Sequence, residues 1–298
     1  MSIIDKIYEK IGYLLINTNN PKIFLCGLYI LEKNHNYVEK DFIDNEKILK
    51  ILRSFEKAMV TGTGVLMVFY KDKVIKYPLG KRSIQSLNIE YTNYLLLQNT
   101  IYSNLVDYIL EAKENYFVME KLSILQQPIS SYKKIYSQLS EIKKDDLNLL
   151  SIINPSNIKN VLIRSNVDKK DINSYLNYLN TLKCKSVPMH GDLTQYNIML
   201  NKKNHLVLID LDWFKLNGIE DIDRIHFIIE FYAKKRKKNY LELIIDILDT
   251  NFFSSITIKK LLVYFLYRIN IEYNKSTLLR DSYYTNIFKI INNHMENL

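Results

Sequence analysis

The spacing of apolar and polar residues changes near Pro128 of this 298-residue chain. Before that point, short apolar runs bounded by turn residues predict strands over residues 23–30, 65–70 and 73–76, the last two joined by a tight turn at Lys71-Asp72. Thr61-Gly62-Thr63-Gly64 is a turn-rich loop just ahead of the second strand. Residues 86–98 read as a helix with Leu87, Tyr91, Tyr94 and Leu95 on one face, and residues 116–122 as a further strand. After Pro128 the period becomes helical. Tyr132, Ile135, Tyr136, Leu139 and Ile142 form one apolar stripe, and Ile172, Tyr175, Leu176, Leu179 and Leu182 a second. Between Pro188 and Trp213 the helical spacing stops, and residues 198–200 and 205–211 read as a hairpin across Asn201-Lys202-Lys203-Asn204. Helices resume at Asp221. The pattern therefore predicts an α+β chain: a strand-rich N-terminal lobe over residues 1–122 and a larger helical lobe over residues 123–298. No internal repeat is visible.

Composition narrows the reading only slightly. Apolar residues make up 47% and charged residues 24%, the balance of a folded chain with a sizeable core. The net charge of +9 favours anionic partners. Its lysines are scattered, however, and the one dense run, Lys234 to Lys238, reads as a solvated helix face. No nucleic-acid-binding motif accompanies the surplus, so nucleic acid is not expected as a partner. Cys26 and Cys184 lack metal-ligand spacing, which argues for no structural zinc or disulfide framework and points to a reducing cytoplasm. Asp5 and Glu9 interrupt the first apolar pattern, unlike a signal peptide. The longest apolar run, residues 23–31, is about half of a membrane span. Tyr and Phe at helical spacing, and His226 on its apolar helix, read as core.

The informative stretch is His190-Gly191-Asp192-Leu193-Thr194-Gln195-Tyr196-Asn197, followed by Ile209-Asp210-Leu211-Asp212. Carboxylates and an amide crowd a loop and a strand end, and phosphoryl transfer asks for those parts. Asp192, on the loop, suits a base that orients an attacking hydroxyl and takes its proton. Asn197 and Asp210 supply the hard oxygen ligands that Mg2+ prefers. Asp210 also ends an apolar strand, where a charge is costly unless something pairs with it.

HGDLTQYNIML followed by LVLIDLDWF resembles the aminoglycoside phosphotransferase and choline kinase-like group, whose loop reads HGDxxxxN and whose metal strand reads IDxx. The resemblance implies a bilobal protein kinase-like fold. It further implies that Lys76 contacts phosphate and Glu90 holds that lysine, that Thr61, Gly62, Thr63 and Gly64 cover the phosphates, and that residues 117–122, with Glu120 and Leu122, form the hinge that receives the base. His190, Asp212 and Asp223 are expected in support, Asp223 through a G-x-x-x-x-D spacing from Gly218. Arg224 and Ile225 depart from the family's usual Leu-Ala, and the phosphate loop lacks GxGxxG.

The function expected is transfer of the γ-phosphate of ATP or GTP, with Mg2+, to a hydroxyl of a small molecule such as an aminoglycoside, choline or a sugar. The alternatives are a kinase of a protein or cell-envelope polymer, and an inactive nucleotide-binding scaffold. Neither the acceptor nor the oligomeric state is legible.

Overall fold

The computed structural model describes residues 57–61, 64–114, 116–141, 144–249, 256–273 and 281–295. The strand expected over residues 23–30, and Gly62 and Thr63 of the expected phosphate loop, lie outside them. The α+β class read from the sequence is the class observed. The chain divides into two compact units. One takes in the described residues up to Gln126 together with Ile198–Asp212, the other Gln127–Asn197 and the described residues from Trp213 onward.

The first unit is built on a five-stranded antiparallel sheet of order β1-β2-β3-β5-β4. Its strands are β1 (Lys57–Val60), β2 (Val65–Phe69), β3 (Lys73–Pro78), β4 (Ile109–Lys113) and β5 (Tyr116–Glu120). Strand β3 lies inside the sheet, with Lys76 opposite Met67 on one side and Phe117 on the other. Helix α1 (Lys81–Gln98) follows at once. It starts earlier than residue 86, because the Ser83 hydroxyl accepts the N–H groups of Leu79 and Gly80 at 2.9 Å each and so organises the first turn. Ser83, Leu87, Glu90 and Leu97 make its buried face. Glu90 is thus a carboxylate at a core position, and a partner is required. Strand β4 escaped the sequence reading. It is an edge strand, and its exposed, non-alternating residues carry no period-two signal.

The hairpin of β8 (Ile198–Leu200) and β9 (Leu206–Leu208) belongs to this unit. Ser123 and Leu200 exchange backbone hydrogen bonds of 2.9 and 3.0 Å. Asn201 Nδ2 donates to Asp107 O, and Glu120 Oε2 accepts from Lys202 N. Those bonds fix where the chain just beyond β9 emerges, and with it Asp210.

The described residues of the second unit form seven α-helices: α2 (Pro128–Ser140), α3 (Pro155–Arg164), α4 (Lys169–Thr181), α5 (Ile222–Arg236), α6 (Tyr240–Asp249), α7 (Ile258–Tyr273) and α8 (Asp281–Met295). Asn154 and Asp168 cap α3 and α4 through Ser156 N and Lys170 N. The predicted stripes point inward, with Ile135 and Leu139 buried on α2 and Ile172, Tyr175 and Leu179 on α4. The core is closed by Leu261, Leu262, Phe265 and Leu266 of α7 and by Ile287 and Phe288 of α8. The basic run ends α5, where cations complement the helix dipole, and Arg236 and Lys238 both pair with Asp246. One feature adds to the mostly helical reading of this half. A three-stranded sheet, β10-β7-β6, runs through it, made of β6 (Lys144–Asn148), β7 (Lys183–Met189) and β10 (Lys215–Ile219). Its strands are rich in Lys, Asp and Asn, so apolar periodicity gave no sign of them. No helix among the described residues is long and apolar enough to cross a membrane.

Candidate active site

In the first unit, β3 and α1 bring Lys76 and Glu90 together. Lys76 Nζ lies 2.5 Å from Glu90 Oε1 and 2.8 Å from Oε2, with side chains 12% and 4% exposed. Burial acts to lower the Lys76 pKa. The charge of Glu90 first, and those of Asp210 and Asp212 after it, outweigh that effect and hold the ammonium above its ordinary value. Asp210 stands just past β9 with an exposed side chain and a left-handed backbone (φ 61°). A non-glycine residue held there stores local strain of the kind found at functional positions.

Asp212 is the more telling of the two acids. Its Oδ2 accepts from Ser86 Oγ at 2.7 Å, while Oδ1 is buried without a partner. Burial, and next the Asp210 charge, push its carboxyl up to about 6. Asn93 Nδ2 donates to Leu211 O at 2.7 Å and ties this segment to α1. A buried orphan carboxylate oxygen beside a second carboxylate is a place that a cation would stabilise. Among the described residues no three His, Cys, Asp or Glu side chains form a ready-made cage. Magnesium takes one or two carboxylates from a protein and completes its shell with water and phosphate oxygens. The residues present therefore fit the ion.

The rest of the expected machinery in this unit has structural duties. Thr61 Oγ1 accepts from Val65 N, and Gly64 N donates to Thr61 O, closing the turn between β1 and β2 with Gly64 at φ 82°. Glu120 is buried and its carboxylate is spent on Lys202 N. Leu122 lies just past β5.

In the second unit, the loop leaving β7 carries His190 to Asn197. Asp223, in the first turn of α5, is buried, and its carboxylate accepts from His190 N at 2.6 Å and Gly191 N at 2.8 Å. Burial pushes this carboxyl above its ordinary value, and the two N–H bonds act against that shift. The expected support from Asp223 is therefore a brace under the loop. Gly218 packs against β7, where a Cβ would come 2.3 Å from Met189 Cβ. Gly191 has φ +83°, and a Cβ there would lie 2.7 Å from both Trp213 Cβ and Trp213 O, so the turn into Asp192 requires glycine. His190 is fully buried, its Nδ1 3.4 Å from Asp192 N. Asn197 Nδ2 donates to Asp192 O at 2.8 Å, which leaves its Oδ1 as the atom available to a cation.

Two side chains at Asp192 were missed from the sequence. Arg268 Nη1 lies 2.9 Å and His226 Nε2 3.1 Å from Asp192 Oδ1. Burial raises the Asp192 pKa, but the His226 ring and the Arg268 charge outweigh burial and hold the carboxyl well below the usual range. Arg268 had a legible signal: it is a lone charge inside the apolar run Leu261 to Ile269. His226 read as a core histidine. It is buried, but it faces the loop aspartate as well as the core.

No protein-family model and no curated protein matches the sequence. Similar solved structures include the choline kinase LicA from Streptococcus pneumoniae, at 15% identity and TM-score 0.47 over 85% of this chain and 99% of that one. A streptomycin–ATP complex of APH(2″)-IIa is similar at 16% identity and TM-score 0.40 over 61% and 73%. A macrolide 2′-phosphotransferase of type I is similar at 12% identity and TM-score 0.36 over 78% and 84%.

Proposed function

We propose that this chain is a phosphotransferase that moves the γ-phosphate of ATP or GTP to a hydroxyl group of a small molecule. The observation that carries the reading is the buried Lys76–Glu90 pair beside the Asp210 and Asp212 carboxylates. A lysine fixed by a buried glutamate presents a positive charge at a set place, and two further acids next to it invite a divalent ion. Lys76 neutralises phosphate oxygens, and Leu122 offers its backbone to the base. Asp210, with the Asp212 carboxylate beside it, would hold magnesium, and the loop motif implies the same role for Asn197. When bound, the ion would supply positive charge to the phosphate oxygens. Asp192 orients the acceptor hydroxyl and takes its proton.

The acids at the start of α5 do not favour a polycationic acceptor. Asp221 pairs with Arg224 at 2.8 Å and Lys260 at 2.6 Å, and Asp223 is committed to the loop. The test is a panel of acceptors — streptomycin, gentamicin, choline, a macrolide and glucose — incubated with magnesium–ATP and assayed for phosphorylated product. Product from at least one acceptor, abolished by chelating magnesium, is expected. Nucleotide binding with no product from any acceptor would favour the scaffold instead.

A further inference from the structure

Asp192 is held by more than its loop. Arg268 Nη1 and His226 Nε2 converge on one oxygen, Oδ1, and no hydrogen bond from the described residues falls on Oδ2. The two groups come from different helices, α7 and α5. Tyr264 sits one turn before Arg268 on α7, so both project from the same side of that helix. The Tyr264 hydroxyl is 2.8 Å from His226 Nδ1. Burial drives the His226 pKa below its ordinary value, so the ring is neutral near pH 7. His226 Nε2 lies 3.1 Å from Oδ1 but makes no hydrogen bond there, so the hydrogen bond that holds this oxygen comes from Arg268.

We infer that Arg268 is a positioning residue for Asp192: its hydrogen bond to Oδ1 fixes the carboxylate and leaves Oδ2 to receive the acceptor's proton. This rests on the phosphotransferase reading above. In the step concerned, the acceptor oxygen bonds to the γ-phosphorus and its proton passes to Oδ2. The bond from that phosphorus to the β-phosphate oxygen breaks, and the nucleoside diphosphate leaves with the electron pair. A cation beside a base weakens it as a base, so Arg268 contributes aim rather than basicity. Aim matters because a small misplacement of a reacting group costs a large factor in rate.

The test measures kcat and KM for magnesium–ATP with each member of the panel above, for the native protein, Arg268→Ala, Arg268→Lys, Asp192→Asn and the Asp192→Asn/Arg268→Ala double variant. Arg268→Ala should lower kcat roughly 10- to 100-fold while the nucleotide KM stays within about twofold. Arg268→Lys should recover part of the loss. In the Asp192→Asn background, the alanine change should cost under about twofold, since no carboxylate remains to be aimed. Equal losses in both backgrounds, or a loss confined to KM, would show a merely structural arginine. If Arg268→Ala does not fold, Arg268→Lys decides alone: native kcat overturns the inference and a loss above about threefold supports it. A native protein inactive with all five acceptors sinks the phosphotransferase reading and this inference together. Native activity unaltered by Arg268→Ala sinks the inference only.

Discussion

Replacing Asp192 by Asn is expected to lower kcat by roughly 10³-fold, within the range that a general base contributes, while the KM for magnesium–ATP changes little. The amide keeps the size of the side chain and can still accept a hydrogen bond from Arg268, so the loop braced by Asp223 should stay in place. What is lost is the carboxylate that takes the acceptor's proton. Steady-state kinetics with whichever panel member yields product reads the result directly. A fall in kcat under about threefold would remove Asp192 from the chemistry. The same carboxyl predicts the shape of the pH profile. Burial raises its pKa, but the His226 ring and the Arg268 charge bring it well below the usual carboxylate range. It is therefore ionised throughout the neutral region, and any acid limb seen between about pH 5 and 7 comes from another group.

The second large effect is on stability. Lys76→Met leaves Glu90 as a buried carboxylate, 4% exposed, without its cation. Breaking such a pair costs about 3–5 kcal/mol, chiefly because the remaining charge is left uncompensated. Chemical denaturation should show that loss in Lys76→Met, and the double variant Lys76→Met/Glu90→Leu should recover most of it, since apolar replacement of a whole buried pair is often neutral. Nucleotide binding should stay weak in both variants. Recovery of stability without recovery of binding separates the two roles of Lys76. A single variant as stable as the native protein would mean that the pair is not buried as described.

Much of the site was legible because its residues must be of particular types at particular spacings. The loop from His190 to Asn197 and the strand end at Asp210 carry polar groups where an apolar pattern would otherwise continue, and that interruption is a signal in itself. Lys76 and Glu90 stand 14 residues apart in sequence; the resemblance pointed to both, and the structure brings them into contact. Less legible were the elements whose stability lies in pairing rather than in period. Strands β6 and β7 hold together through backbone register, Asp146 opposite Lys185 and Asn148 opposite Lys183, and nothing in residues so polar announces a strand. The resemblance pointed to Glu120 at the hinge; that its carboxylate also anchors the β8–β9 hairpin is a contact across 82 positions that no local reading contains. Arg268 and His226 reach Asp192 across 76 and 34 positions, from helices whose periodicity reported only a core.

The central claim is that the acids around Lys76 hold a nucleoside triphosphate through magnesium, and it can be measured without knowing the acceptor. Calorimetric titration with a non-hydrolysable ATP analogue should show binding at one site that requires magnesium and weakens at least about tenfold in Asp210→Asn. No binding in the presence of magnesium, or equal binding with the metal chelated and in the variant, would contradict the account.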